Sequence, residues 1–199
     1  MRRDRWNEKW RERGAGARSE PNRFLVEEVS ELPAGRALDL ACGAGRNAIW
    51  LAERGWCVTG VDYSEIGLAE ARRRSARQRV AVDWILADLT GWLPPAHAFD
   101  LVCVLYLQIP AGERHVVLER AAGALAPGGT MLVLGHDLSN LTEGYAGPTS
   151  ADVLYSPDDL VADLAGLTIE RAEPVIRPVE DEEGLHEAID ALVRARRPD

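Results

Sequence analysis

Short apolar strings and amphipathic stretches alternate along this chain. The strings over 36–41, 56–61, 80–86, 99–105 and 130–136 read as buried strands. Between them, 46–54, 64–76 and 112–125 carry the 3.6-residue spacing of helices. This alternation predicts a doubly wound, mostly parallel sheet with right-handed crossovers. Thr90 to Ala98, interrupted by Pro94-Pro95, is too short and too proline-rich for a long helix. At the start, Arg2 to Arg13 should be helical, ended by Gly14-Ala15-Gly16-Ala17, and Pro21 opens a second helix running through Val29. Ser156 caps a helix over 157–165, with Pro157 in its first turn and Asp158-Asp159 at the positive end of its dipole. The alternation in Leu167-Thr168-Ile169-Glu170-Arg171-Ala172 predicts a sixth strand. From Glu187 to Arg197 the pattern is ambiguous. Propensity favours a helix through Ala188-Ile189-Asp190-Ala191-Leu192-Val193, while Ala191, Val193 and Ala195 alternate as a strand would. The run Glu180-Asp181-Glu182-Glu183 reads as a solvated turn.

Chemistry enters where the first strand meets its helix, in Ala37-Leu38-Asp39-Leu40-Ala41-Cys42-Gly43-Ala44-Gly45-Arg46-Asn47. The glycines let the backbone turn tightly against a ligand, and the helix beginning at Asn47 points its N-terminus there. About twenty residues on, Val58-Thr59-Gly60-Val61-Asp62 ends the second strand in a carboxylate suited to two ribose hydroxyls. Gly43-Ala44-Gly45-Arg46-Asn47-Ala48 also satisfies the dinucleotide pattern. Asp39 separates the two cofactor classes, because it would repel a pyrophosphate and welcome the ammonium of an amino-acid moiety. Asp88, after the third strand, can hold an adenine amino group.

With these residues the chain resembles the class I S-adenosylmethionine-dependent methyltransferases over nearly its whole length. The resemblance implies a Rossmann-like α/β fold, a doubly wound seven-stranded sheet whose last strand is antiparallel, and so favours strand for the ambiguous tail. It implies that Asp39, Ala41, Gly43 and Gly45 line the methionine part, that Asp62 takes the ribose, and that Asp88 with Leu89 borders the adenine. Asn47, Tyr63 and Leu105 complete the expected cofactor contacts. The start Trp6-Asn7-Glu8-Lys9-Trp10 is similar to the N-terminal helix of thiopurine, halide and thiol methyltransferases, which folds over cofactor and acceptor. The branch most resembled is the small tellurite-resistance and thiopurine type. The product would be S-adenosylhomocysteine.

Composition narrows the acceptor. A chain of 199 residues with formal charge −9 and pI near 5.0 is expected to form one domain, 1–199, with a helical cap over 1–31 and a pocket loop over 137–155. The acidic balance argues against a nucleic-acid substrate and for a small molecule. Cys42, Cys57 and Cys103 sit in or beside expected buried strands with no disulfide or zinc spacing, which points to a reducing cytoplasm. No apolar run is long enough for a membrane span, and the Arg-rich start lacks a signal-peptide core. No metal is expected, and the assembly is monomer or homodimer.

A sulfonium already activates its methyl group, so the protein must mainly position a nucleophile, worth roughly 7–11 kcal/mol, and remove a proton where the acceptor carries one. His136, followed by Asp137, is the histidine at the carboxyl edge of the sheet. It either serves as general base or lines the pocket wall. Asp137 either orients it or caps a turn. Tyr106, ending the fourth strand, is a second catalytic candidate or a packing aromatic. Trp6, Trp10 and Tyr145 are expected to join His136, Asp137 and Tyr106 in the acceptor pocket. His97, His115 and His186 fall in loops or on a helix flank. Thiol or chalcogen, carboxylate and hydroxyl acceptors all fit. Two other classes remain open: a non-catalytic S-adenosylmethionine-binding partner or sensor, and a NAD-dependent oxidoreductase, for which Asp39 and Asp88 would be unexplained.

Overall fold

A computed structural model describes residues 2–13, 19–182 and 184–199. The expected stop at Gly14 to Ala17 lies outside the described residues, as does Glu183. The elements are α1 (Arg2–Arg13), α2 (Arg23–Val29), β1 (Arg36–Leu40), α3 (Arg46–Glu53), β2 (Cys57–Asp62), α4 (Glu65–Gln78), β3 (Val82–Leu86), β4 (Phe99–Leu105), α5 (Ala111–Ala124), β5 (Leu125–His136), α6 (Pro157–Asp163), β6 (Thr168–Asp181) and β7 (Gly184–Arg196). One seven-stranded sheet runs β3-β2-β1-β4-β5-β7-β6. The first five strands are parallel, and β7 pairs antiparallel with both β5 and β6.

Both faces of the sheet are covered, which is why its central strands are apolar throughout. Leu38, Val102, Val104, Met131 and Val133 pack against α5 and α6, while Leu101, Cys103, Leu132 and Leu134 pack against α2 and α3. Truncating one of these fully buried leucines to alanine typically costs 2–5 kcal/mol.

The tail is strand. Ala191, Val193 and Ala195 enter one core and Leu192 the other, all fully buried. A helix would have turned part of this run toward solvent, so burial on two faces overrides helix propensity. The sixth strand is more than twice as long as its first alternating residues promised. It continues through Pro174 and Pro178, which an edge strand tolerates because one row of its backbone groups needs no partner. The expected solvated turn over 180–183 is corrected accordingly: Glu180 and Asp181 belong to β6 and pair with Leu185 and Gly184. His186 is likewise in β7 and not in a loop, and Cys57 is exposed at the start of β2 and not buried.

β5 ends at His136, paired with Asp190, whereas the β6–β7 hairpin continues to Asp181 and Gly184. The hairpin therefore overhangs the carboxyl edge of the sheet as an arm. The stretch 137–155 holds two single-turn 3-10 helices, Leu138–Leu141 and Ala151–Val153, and returns along Asp137 through a bridge to Tyr155.

Candidate functional site

The turn after β1 is tight because it has left-handed residues in three of five positions: φ is +59° at Ala41, +55° at Gly43 and +77° at Gly45. Added side-chain carbons would collide at both glycines. At Gly43 a Cβ would stand 2.5 Å from the Trp10 ring, and at Gly45 it would enter the Trp84 ring and reach Ala71 at 3.0 Å. Glycine is thus required by conformation and by close packing together. Gly45 starts α3 with no capping side chain of its own, and the Ala48 N–H of the first turn is taken up by Asp39.

Two acidic side chains frame that turn. Asp62, at the end of β2, accepts from the Gly43 N–H at 2.8 Å and from the Ser64 N–H at 2.7 Å. Burial raises its pKa, and these N–H groups with that of Tyr63 oppose the rise. Three N–H groups fill most of the carboxylate's acceptor positions and leave room for a further donor. Asp39 is almost fully buried and its Oδ2 has no hydrogen-bond partner. Burial pushes its pKa up to about 7, against the charge of Arg46 and the Ala48 N–H. A buried, orphaned carboxylate oxygen fits a ligand ammonium, and a carboxylate on a rigid turn fits a vicinal diol. These residues therefore suit a nucleoside amino acid. Ala41 is half-buried on the turn, and Tyr63 is half-buried beside Asp62. Asp88 is exposed and accepts from the Thr90 N–H and hydroxyl at 3.0 and 2.8 Å, whereas Leu89 and Leu105 are buried.

The N-terminal helix covers the crevice through residues read only in part from sequence. Trp10 lies on Gly43 and reaches Gly67 of α4, while Asn7 accepts a 2.6 Å hydrogen bond from the Ser64 hydroxyl. Trp6 is half-buried under the Lys9 ammonium, 4.5 Å from its ring centre. The two tryptophans are thus not equivalent. Asn7 was missed, although a buried amide between two tryptophans on one helix face was a readable signal.

The other half of the site gathers at the carboxyl ends of β4 and β5 under the hairpin arm. Tyr106 has φ of +60°, uncommon for a residue with a side chain. Its ring lies 5.2 Å from that of His136. Its hydroxyl donates to Asp190 Oδ2 at 2.6 Å and accepts from Arg177 Nε at 3.0 Å and Asn22 Nδ2 at 3.3 Å. Arg177 also donates to the same Asp190 oxygen at 2.8 Å. His136 Nδ1 stands 3.2 Å from Asp190 Oδ1, within ion-pair reach but off the hydrogen-bond direction, and neither atom has another hydrogen-bond partner among the described residues. Burial works to raise the Asp190 pKa, yet His136, Arg177 and Tyr106 together bring it below the ordinary value. Burial, reinforced by the Asp190 charge, pushes the Tyr106 hydroxyl well above its usual range.

Asp137 does not take the orienting position. It caps the following turn, accepting from the Ser139 N–H and hydroxyl at 2.8 and 2.7 Å. Tyr145 is half-buried and bonds Asp181, and its ring stacks on His186 at 3.8 Å, so this side chain is tied to the arm's tip and not to His136. Asn47 is occupied by structure: its Oδ1 accepts from the Asn22 N–H at 2.9 Å. Asn22, which also caps α2, links the cofactor turn's helix to Tyr106. Asp190, Arg177 and Asn22 were not expected from sequence. Only the buried aspartate inside an apolar strand carried a signal.

An open groove of about 1010 Å³ lined by Arg36, Cys57, Val82 and Trp84 is at the opposite, amino-terminal edge of the sheet. In open α/β sheets ligands collect at the carboxyl edge, and the convergent polar groups are there.

An open doubly wound sheet with an acidic nucleoside crevice defines the class. Residues 37–129 match the model of a methyltransferase domain. The trans-aconitate 2-methyltransferase of Rhizobium meliloti (strain 1021) is 34% identical over 158 residues, covering 77% of this chain and 57% of that protein. The chain spans about half the length of the curated relatives it matches. A solved structure described as "Conversion of a Disulfide Bond into a Thioacetal Group during Echinomycin Biosynthesis" superposes with TM-score 0.78 at 24% identity, covering 100% of this chain and 93% of that one. An S-adenosylmethionine-dependent methyltransferase from Mesorhizobium loti gives 0.70 at 23%, covering 92% and 100%. The match over residues 37–129 and the methyltransferase relatives support a class I S-adenosylmethionine-dependent methyltransferase fold, with S-adenosylmethionine as the cofactor implied. Among the described residues no helix is long and apolar enough to cross a membrane, and no His, Cys, Asp and Glu group could hold a metal ion.

Proposed function

We propose that the protein transfers the methyl group of S-adenosylmethionine to a small-molecule acceptor and releases S-adenosylhomocysteine. The observation that carries this reading is Asp39, a buried carboxylate beside the glycine turn, one of whose oxygens has no hydrogen-bond partner among the described residues. A phosphate-bearing cofactor would be repelled there. When bound, the cofactor supplies a methyl group already activated on a sulfonium. Asp39 holds the ammonium, Ala41, Gly43 and Gly45 let the chain approach closely, Asp62 fixes the ribose, and Asp88 with Leu89 borders the adenine. Trp10 and Asn7 close α1 over the crevice and exclude water. Tyr106 and His136 face the acceptor.

Several relatives are named for methylating trans-aconitate, which makes carboxylic acids the first acceptors to try, followed by hydroxyls and thiols. Calorimetric titration with S-adenosylmethionine, S-adenosylhomocysteine and NADH tests the class. Micromolar binding of both sulfur nucleosides is expected, and binding of NADH alone would overturn it. Turnover of S-adenosylmethionine with an acceptor panel separates an enzyme from a non-catalytic binder.

A further inference from the structure

We infer that Asp190 is a positioning residue for His136, and that the pair serves an acceptor whose reacting oxygen or sulfur arrives carrying a proton. This inference rests on the methyl-transfer reading and deepens it by naming the acceptor class.

Asp190 has no solvent exposure and sits between the apolar residues Ile189 and Ala191 of β7. Leaving a carboxylate there costs several kcal/mol unless partners compensate. One oxygen is compensated by Tyr106 and Arg177, at 2.6 and 2.8 Å. The other, Oδ1, faces only His136 Nδ1, at 3.2 Å. An ionised Oδ1 can only accept, so it favours a proton on Nδ1, and in the neutral imidazole that leaves the lone pair on Nε2. Arg177 and Tyr106 hold Asp190 ionised, and Gly147 packs on the imidazole, where an added Cβ would stand 3.1 Å from Cε1. A His136 that merely lined a wall could leave its ring nitrogens in solvent.

A carboxylate acceptor arrives deprotonated and would gain little from this base. For a hydroxyl or thiol the balance is complete. The acceptor's lone pair forms the new bond to the methyl carbon, the S–C bonding pair stays on the departing sulfur, and the acceptor proton passes to Nε2. The ring, 15% exposed, then releases that proton to water. A base of this kind contributes about 10²–10⁴-fold.

The test is 15N NMR of the full chain labelled at its four histidines, with S-adenosylhomocysteine added and His136 assigned by loss of its signals in His136→Gln. The expected wild-type result is a pyrrole-type Nδ1 and a pyridine-type Nε2, with that preference lost in Asp190→Asn. An Nε2–H tautomer in the wild type overturns the proposal. In the activity arm, Asp190→Asn should lower methylation of catechol about 10²-fold and methylation of trans-aconitate less than about threefold. Equal losses with both probes overturn the acceptor class. Retained S-adenosylhomocysteine binding by the variant shows that it folds. The tautomer is read without turnover, so absence of methyl transfer to either probe counts against the proposed function and leaves the dyad decided by NMR.

Discussion

Two buried aspartates, Asp39 near the end of β1 and Asp190 in the middle of β7, differ in the direction of their pKa. Asp39 is pushed up to about 7, whereas Asp190 is drawn below the ordinary carboxylate value. Burial acts to raise both. The difference lies in the partners: Asp190 already faces a guanidinium, a phenol and an imidazole, while one oxygen of Asp39 faces none. Charge inside a protein is set by the groups that meet it, and the unmet carboxylate is the one proposed above to hold the ligand's ammonium. The left half of the sheet is therefore built as an incomplete receptor, and the right half as a completed polar network.

The sharpest way to break this contrast is to remove Asp62, whose carboxylate holds the glycine turn. Asp62→Ala is expected to weaken S-adenosylhomocysteine binding about 10²–10³-fold by calorimetry, consistent with charged hydrogen bonds worth roughly 1.5–3 kcal/mol each. Asp190→Asn should leave the same affinity within about threefold. Comparable losses would mean that the halves are not separate.

Asp39→Asn should lower S-adenosylmethionine affinity about 10–100-fold while stabilising the ligand-free protein at pH 8 by about 1–3 kcal/mol, measured by denaturant titration. The sign follows from the raised pKa. Between about 4 and 7 the folded protein keeps a proton on Asp39 that the unfolded chain has lost, so this group's contribution is present at low pH and disappears as pH rises through about 7. The wild type should show that loss and the variant should not. Cofactor affinity should run the other way, rising with pH up to about 7 because the ammonium needs an ionised partner. Binding near pH 6 should release a proton, read as a buffer-dependent enthalpy.

Trp10→Ala is expected to cost about tenfold in cofactor affinity, and trypsin should cut at Arg13 more slowly once cofactor is bound to the wild type. Identical cleavage with and without cofactor would count against closure of α1. The smallest effect belongs to the arm. Tyr145→Ala removes a stacked pair with His186, worth roughly 0.5–1.5 kcal/mol, so hydrogen exchange at 184–187 should quicken while cofactor binding stays unchanged.

The halves also differ in how much of each could be read from the chain. Asp39, the glycine turn and Asp62 sit within one β-α-β unit, where strand, turn and helix follow each other and local pattern fixes their geometry. β1 through β5 accordingly match their expected positions to within a few residues, except that β5 begins earlier, at Leu125. The β6–β7 arm was underestimated because the family pattern had to outvote helix propensity, and because Pro174 and Pro178 look like strand breakers until the strand is known to be an edge. Asp137 looked like the natural partner of His136 because it is adjacent in sequence. In a strand, adjacent side chains point to opposite faces, so a residue next door is poorly placed to face it.

The sequence by itself determined the class of fold, the cofactor crevice and the candidate histidine, since each depends on residues close together and on hydrophobic period. Only the tertiary structure decided what faces that histidine. Tyr106 and Asp190 are 84 residues apart, and antiparallel pairing of β7 against β5 sets Asp190 opposite His136. Shifting that register by one residue would turn Asp190 to the other face and dissolve the network, and local sequence carries no record of which register wins.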